Sequence, residues 1–111
     1  MKICLVGSSG GHLRHLYLLK PYWKDKNRFF VTFDKEDARS ILKNEKVYKC
    51  YYPTNRNIKN LIRNTFLAFK ILKKERPDII ISTGAAVAVP FFYIGKLFKI
   101  KAFIAFLSFF D

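Results

Sequence analysis

The stretch Lys2-Ile3-Cys4-Leu5-Val6-Gly7-Ser8-Ser9-Gly10-Gly11-His12 sets an apolar run against a glycine-rich turn. Beyond it Leu13, Leu16 and Tyr17 or Leu19 recur near helical spacing, so the segment reads as strand, glycine turn, helix. Glycines let a backbone turn sharply and approach a ligand. The first amides of the following helix then offer hydrogen bonds and a partial positive charge to a phosphate. The spacing of Gly7, Gly10 and Gly11 does not fit the dinucleotide pattern G-x-G-x-x-G, and no Gly-Lys-Ser/Thr follows as in a P-loop. A nucleotide cofactor or ATP is therefore disfavoured, and no cofactor is expected. A purely structural strand-to-helix turn is the alternative reading.

Outward from this segment the pattern repeats. Pro21 is expected to stop the first helix. Arg28 to Phe33 reads as a second strand, and Asp34 is placed to cap a helix running to about Asn44. Val47 to Tyr52 is a third strand, closed by Pro53. From Arg56 to Glu75, Ile58, Leu61, Ile62, Phe66, Phe69 and Leu72 trace one helical face while Lys59, Arg63, Lys70, Lys73 and Lys74 lie largely elsewhere. That apolar face is expected to be core. Ile79-Ile80-Ile81 is a β-branched run of the kind buried on both faces of a parallel sheet, and Thr83-Gly84 ends it. Ala85 to Phe98 is an apolar helix that begins or kinks at Pro90, and Ala102 to Phe110 starts as a fifth strand. Strands alternating with helices predict an α/β fold, a doubly wound parallel sheet with helices on both faces. Ligands of such sheets bind outside the carboxyl ends of the strands. Both glycine loops, Gly7 to His12 and Thr83-Gly84-Ala85, fall there.

Half of the 111 residues are apolar, enough for one core and not for two, so residues 1–111 are expected to form a single domain. The net charge of +13, from 21 Lys and Arg against 8 Asp and Glu, attracts polyanions, whether nucleic acid, phosphorylated substrates or anionic lipid head groups. The basic residues sit mostly singly among apolar ones with no basic arm or tail, and no nucleic-acid partner is expected. Cys4 and Cys50 each lie in a strand candidate and read as buried thiols suited to a reducing compartment. The amino terminus lacks the apolar core of a signal peptide, and no stretch reaches the roughly 18 to 20 apolar residues of a spanning helix.

Among chemically competent residues, His12 is placed to project into the crevice as a general base or hydrogen-bonding group. His15 lies about one helical turn on, but without Cys or carboxylate partners nearby no metal is assigned. There is no nucleophile elbow, Ser/His/Asp order or paired carboxylate motif, so a self-contained hydrolase is poorly supported.

Taken together, Ser8-Ser9-Gly10-Gly11-His12, Phe33-Asp34, and Arg76-Pro77-Asp78 followed by Ile81-Ser82-Thr83-Gly84-Ala85 through Pro90 resemble the Alg14-like oligosaccharide-biosynthesis family. Its bacterial members include capsule and exopolysaccharide proteins, and the resemblance extends to about Lys101. It implies a Rossmann-like fold similar to the amino-terminal half of a GT-B glycosyltransferase, with the donor-binding half supplied by a separate Alg13-like subunit that binds the UDP-sugar. By motif match, Gly10, Gly11 and His12, with Ser8 and Ser9, would line a cleft near the diphosphate of a lipid-linked saccharide acceptor. Thr83, Gly84 and Ala85 would form the second cleft loop. Where relatives continue through an acidic residue into further elements, this sequence turns Phe- and Ser-rich, and a shortened carboxyl end is the expectation.

The resemblance thus implies the acceptor-side, membrane-recruiting subunit of a two-component glycosyltransferase, peripheral at the cytoplasmic face of the membrane and active only with its partner. Basic residues of the long helix and Phe91-Phe92-Tyr93 would supply attachment to an anionic membrane surface. The alternative is a non-catalytic module that activates and localises the partner glycosyltransferase.

Overall fold

The β-branched and aromatic runs form strands, and the segments between them form helices. The computed structural model describes residues 1–7, 11–52, 57–82 and 87–104, apart from the side chains of His12, His15, Phe103 and Ile104. In chain order the elements are β1 (Lys2–Val6), α1 (Gly11–Leu18), α2 (Lys20–Trp23), β2 (Asn27–Phe33), α3 (Glu36–Ile41), β3 (Val47–Cys50), α4 (Ile58–Glu75), β4 (Ile79–Ser82), α5 (Ala88–Leu97) and β5 (Lys101–Ile104). The described strands form one five-stranded sheet of order β3-β2-β1-β4-β5, and every pairing is parallel.

Side chains alternate across each strand, and the two faces gather two separate cores. Ile3 and Leu5 of β1, Phe30 of β2 and Ile79 and Ile81 of β4 pack against Leu13, Leu16, Trp23, Ala38 and Leu42 from the α1–α3 side. Cys4, Val6, Phe29, Val31 and Ile80 pack instead against Ala68, Ile71 and Leu72 of α4 and Ala88, Phe91 and Ile94 of α5. The expected α/β architecture, with helices on both faces, is the observed one. Trp23 anchors the first core: it is fully buried, donates its indole N–H to the Leu16 carbonyl at 3.0 Å, and meets Phe30 edge-on at 5.3 Å.

Several local expectations are corrected. Pro21 does not end the first helix, which already stops at Leu18; it sits in the first turn of α2, where a missing N–H leaves no intrahelical bond unmade. The same reason lets Pro90 stand in the first turn of α5, which begins at Ala88. Asp34 is not the cap of α3. Lys35 holds that position without a side-chain cap bond, and the Asp34 carboxylate pairs instead with Arg39 at 2.9 Å and Lys49 at 3.6 Å. The long helix is capped by Asn57, whose side chain accepts from the Asn60 N–H at 2.9 Å.

The largest correction concerns α4. Of the six apolar residues expected to face the core, only Leu72 is buried, whereas Ile58 and Phe66 are each 73% exposed and Leu61, Ile62 and Phe69 about half exposed. The buried side of the helix is Asn60, Asn64, Ala68, Ile71, Leu72 and Glu75. Two of its polar residues are satisfied by tertiary partners: Asn64 bonds the Tyr51 backbone, and Glu75 bonds Lys2, Lys46 and Tyr48. Ala68 is fully buried in the core shared with α5. Periodicity of apolar residues carries no trace of such partners.

Candidate functional site

The strands β1 and β4 end side by side, with Val6 and Ser82 as register partners. The Gly7 N–H donates to the Val31 carbonyl at 3.0 Å, so ladder bonding to β2 continues one residue past β1. From β1 the chain turns into α1 on one face, and from β4 it proceeds to α5 on the other. The carboxyl edge between β1 and β4 is therefore the topological switch point, where doubly wound sheets open their ligand crevice. The structure thus brings together the stems of both glycine loops. Ser8, Ser9 and Gly10 of the first and Thr83, Gly84 and Ala85 of the second lie outside the described residues, as does the His12 side chain. Gly11 and His12 form the first turn of α1, which contains no acidic residue to neutralise the positive end of the helix.

A residue without a sequence motif adjoins this edge. Because Val6 pairs with Val31, Gly7 stands opposite Thr32. Thr32 is fully buried, shares by strand alternation the face of Phe30, and its hydroxyl has no hydrogen-bond partner among the described residues. An unpartnered buried hydroxyl costs on the order of 1–3 kcal/mol. Its sequence signal is slight: one hydroxylated residue in the run Arg28-Phe29-Phe30-Val31-Thr32-Phe33.

Beside β2 and β3, Phe33, Asp34, Arg39, Leu42, Glu45, Val47 and Lys49 line a hollow of about 240 Å³ that runs from the end of β2 back to the start of β3. The two cations on Asp34 are themselves about 60% exposed, so these pairs are screened and contribute little to stability. Next to it Tyr52 packs on Phe33 with ring centroids 5.2 Å apart and lies under the Lys35 ammonium at 4.9 Å. Tyr51 lies under the Arg63 guanidinium at 5.5 Å. Lys35 and Arg63 thus lie over the rings of Tyr52 and Tyr51 just beyond the end of β3, while Arg39 and Lys49 are taken up by Asp34.

The most perturbed carboxylate sits at the opposite edge. Glu75 closes α4 beneath the start of β1, accepting from Lys2 Nζ at 2.8 Å, Lys46 Nζ at 2.6 Å and the Tyr48 hydroxyl. Burial alone would raise its pKa. The hydrogen bonds from Lys2, Lys46 and Tyr48, with the charge of Lys2, outweigh that and hold it at about 2. The cluster ties β1, β3 and α4 together and stands apart from the loop stems. Among the described residues no group of three or more His, Cys, Asp or Glu is placed to hold a metal ion.

No family model matches the chain, and no curated protein matches it in sequence. Solved structures do match in fold. MurG of Acinetobacter baumannii superposes with a TM-score of 0.78 at 17% identity, over 93% of this chain and 34% of that one. The UDP-GlcNAc 2-epimerase of Methanocaldococcus jannaschii gives 0.73 at 14% identity, over 92% and 30%. The lipopolysaccharide outer core galactosyltransferase WaaB gives 0.66 at 18% identity, over 94% and 32%. The chain spans about a third of the length of each. It has an α/β Rossmann-like fold that matches the amino-terminal half of GT-B enzymes such as MurG.

Proposed function

We propose that the chain is the acceptor-side part of a glycosyltransferase of the Alg14-like kind, working with an Alg13-like donor-binding subunit at the cytoplasmic face of the membrane. The reaction is transfer of a sugar from a UDP-sugar to a polyprenyl-diphosphate-linked acceptor in capsule or exopolysaccharide assembly. The observation that carries this reading is the pairing of Val6 with Ser82 at the switch point. It roots both glycine loops at neighbouring positions in a fold shared with MurG and a galactosyltransferase.

In this reading Ser8, Ser9, Gly10 and Gly11 present backbone amides and hydroxyls to the acceptor diphosphate at the start of α1. Thr83, Gly84 and Ala85 close the other side. His12 takes the proton of the acceptor hydroxyl as its oxygen bonds to the anomeric carbon of the donor sugar and UDP departs with the bonding electron pair. The buried hydroxyl of Thr32, opposite Gly7 and without a partner among the described residues, is available to the first loop.

The test is co-expression with a donor-half partner and assay of UDP release on a polyprenyl-diphosphate acceptor. Transfer should require both chains, fall at least about tenfold with His12→Ala, and be abolished by Gly11→Asp, which sets a carboxylate against the diphosphate. Transfer unchanged by both substitutions removes the loop from the site. Transfer lost with Gly11→Asp but intact with His12→Ala assigns the chain a binding and activating role without a catalytic base.

A further inference from the structure

We infer that Thr32 is a positioning residue of the site at the carboxyl edge, and that its hydroxyl takes up a hydrogen bond only when a phosphate-bearing ligand occupies that edge. The identity of the ligand rests on the glycosyltransferase reading; the place of the hydroxyl does not. Val6 pairs with Val31, so Thr32 stands level with Gly7, the residue at which the chain leaves β1 for α1. Leu5 pairs with Phe30 and Phe30 with Val47, and side chains alternate along each strand, so Thr32 and its β3 partner Lys49 belong to the side of the sheet covered by α1 to α3. On that side Gly7 has no side chain to set beside Thr32. Lys49 is turned outward, its side chain 62% exposed and its ammonium 3.6 Å from Asp34. The Thr32 hydroxyl is nonetheless fully buried, and it finds no hydrogen-bond partner among the described residues.

Packing does not ask for this hydroxyl. Phe29, Phe30, Val31 and Phe33 around it are buried and apolar, and valine at position 32 would have the same shape with no polar group to satisfy. A buried hydroxyl without a partner lowers the stability of the free chain, so its place is accounted for by a partner that arrives later. Two features of the described residues say what brings it. The first turn of α1 carries no acidic residue, which leaves its free N–H groups and positive end open to an anion. The strands β1 and β4 end side by side at the switch point, with Val6 level with Ser82, which sets that anion at the edge where Gly7 leaves the sheet. A phosphate held by amides at the start of α1 fixes the backbone that leads there from β1. The Thr32 hydroxyl, both donor and acceptor, then bonds that backbone from the sheet side. It touches neither substrate nor reacting atoms and acts through the backbone it holds.

Two substitutions that leave the charge unchanged test this. Thr32→Val keeps the shape and removes the hydroxyl, whereas Thr32→Ser keeps the hydroxyl and removes a methyl group. Urea unfolding of the free chain, followed through Trp23, should place Thr32→Val at or above the wild type and Thr32→Ser below it. Ligand response should run in the opposite order. Stabilisation against heat by inorganic diphosphate should require about tenfold more diphosphate for Thr32→Val and stay within about threefold of the wild type for Thr32→Ser. Unspecific binding of diphosphate to a chain of net charge +13 is common to all three proteins and cancels in the comparison. In transfer with the donor-half partner and a polyprenyl-diphosphate acceptor, Thr32→Val should raise the acceptor KM about tenfold with kcat little changed, and Thr32→Ser should restore it.

A free Thr32→Val chain less stable than the wild type overturns the inference, because an ordered water then satisfies the hydroxyl without ligand. So does a diphosphate response that Thr32→Val leaves unchanged, or a wild type that diphosphate does not stabilise. The glycosyltransferase reading fails separately. If the wild type transfers no sugar but the opposed order of Thr32→Val and Thr32→Ser persists in diphosphate binding, that reading falls and Thr32 remains the positioning residue of an anion site. If transfer proceeds and Thr32→Val does not alter it, the reading stands and the role of Thr32 falls.

Discussion

Asn64 grips the backbone of Tyr51 from both sides: the Tyr51 N–H donates to Asn64 Oδ1 at 2.8 Å, and Asn64 Nδ2 donates to the Tyr51 carbonyl at 3.0 Å. An amide side chain on α4 thereby does for the residue after β3 what a neighbouring strand would do. It also explains why a polar residue that is 1% exposed occupies the inner side of the helix. Asn64→Leu, similar in size but unable to make either bond, is expected to lower stability by about 2 kcal/mol. Urea unfolding followed by fluorescence of Trp23, the one tryptophan, measures it; an unchanged midpoint contradicts this role.

Glu75 makes acid stability predictable in sign. Its pKa in the folded chain, about 2, lies below the ordinary 4.5, so the unfolded chain binds a proton before the folded one does. The stabilisation is complete above about pH 4.5 and is lost as pH falls toward 2. Its size is on the order of 3 kcal/mol at most. Glu75→Gln should lower the plateau near neutral pH and flatten the acid limb of a plot of unfolding free energy against pH. An acid limb of unchanged slope would assign the loss to other carboxylates.

Both cysteines should be silent toward alkylation in the native state. Burial, and then the charge of Glu75, pushes the Cys4 thiol well up, and burial pushes Cys50 up to about 12. Both are reduced and buried. At pH 8 iodoacetamide is expected to label neither until urea unfolds the chain, after which both react, as mass spectrometry would record. Rapid labelling of the folded protein would show that the second core opens readily.

At Gly95 α5 comes close to β4. A Cβ there would lie 2.7 Å from Cδ1 of the buried Ile80. Gly95→Ala trades about 1 kcal/mol of helix propensity against displacement of that methyl group and should leave thermal stability nearly unchanged. Gly95→Val adds branching where α5 meets β4 and should cost about 2 kcal/mol or more. A Gly95→Val variant as stable as the wild type would mean that α5 can lift from the sheet without loss.

Much of this protein was written locally. The β-branched run Ile79-Ile80-Ile81, the glycines after Val6 and after Ser82, and the 3.6-residue recurrence between Ile58 and Leu72 determine strands, turns and helices through near-neighbour sterics and side-chain periodicity. Their alternation is enough to imply a parallel doubly wound sheet. The order β3-β2-β1-β4-β5, the pairing of Val6 with Ser82 and the exposure of Phe66 depend on contacts between residues far apart in the chain. Periodicity marks an apolar stripe on α4 but not which stripe meets the sheet. That was decided by Asn64 and Glu75, through hydrogen bonds to partners on or beside β1 and β3 that come together only when the chain folds.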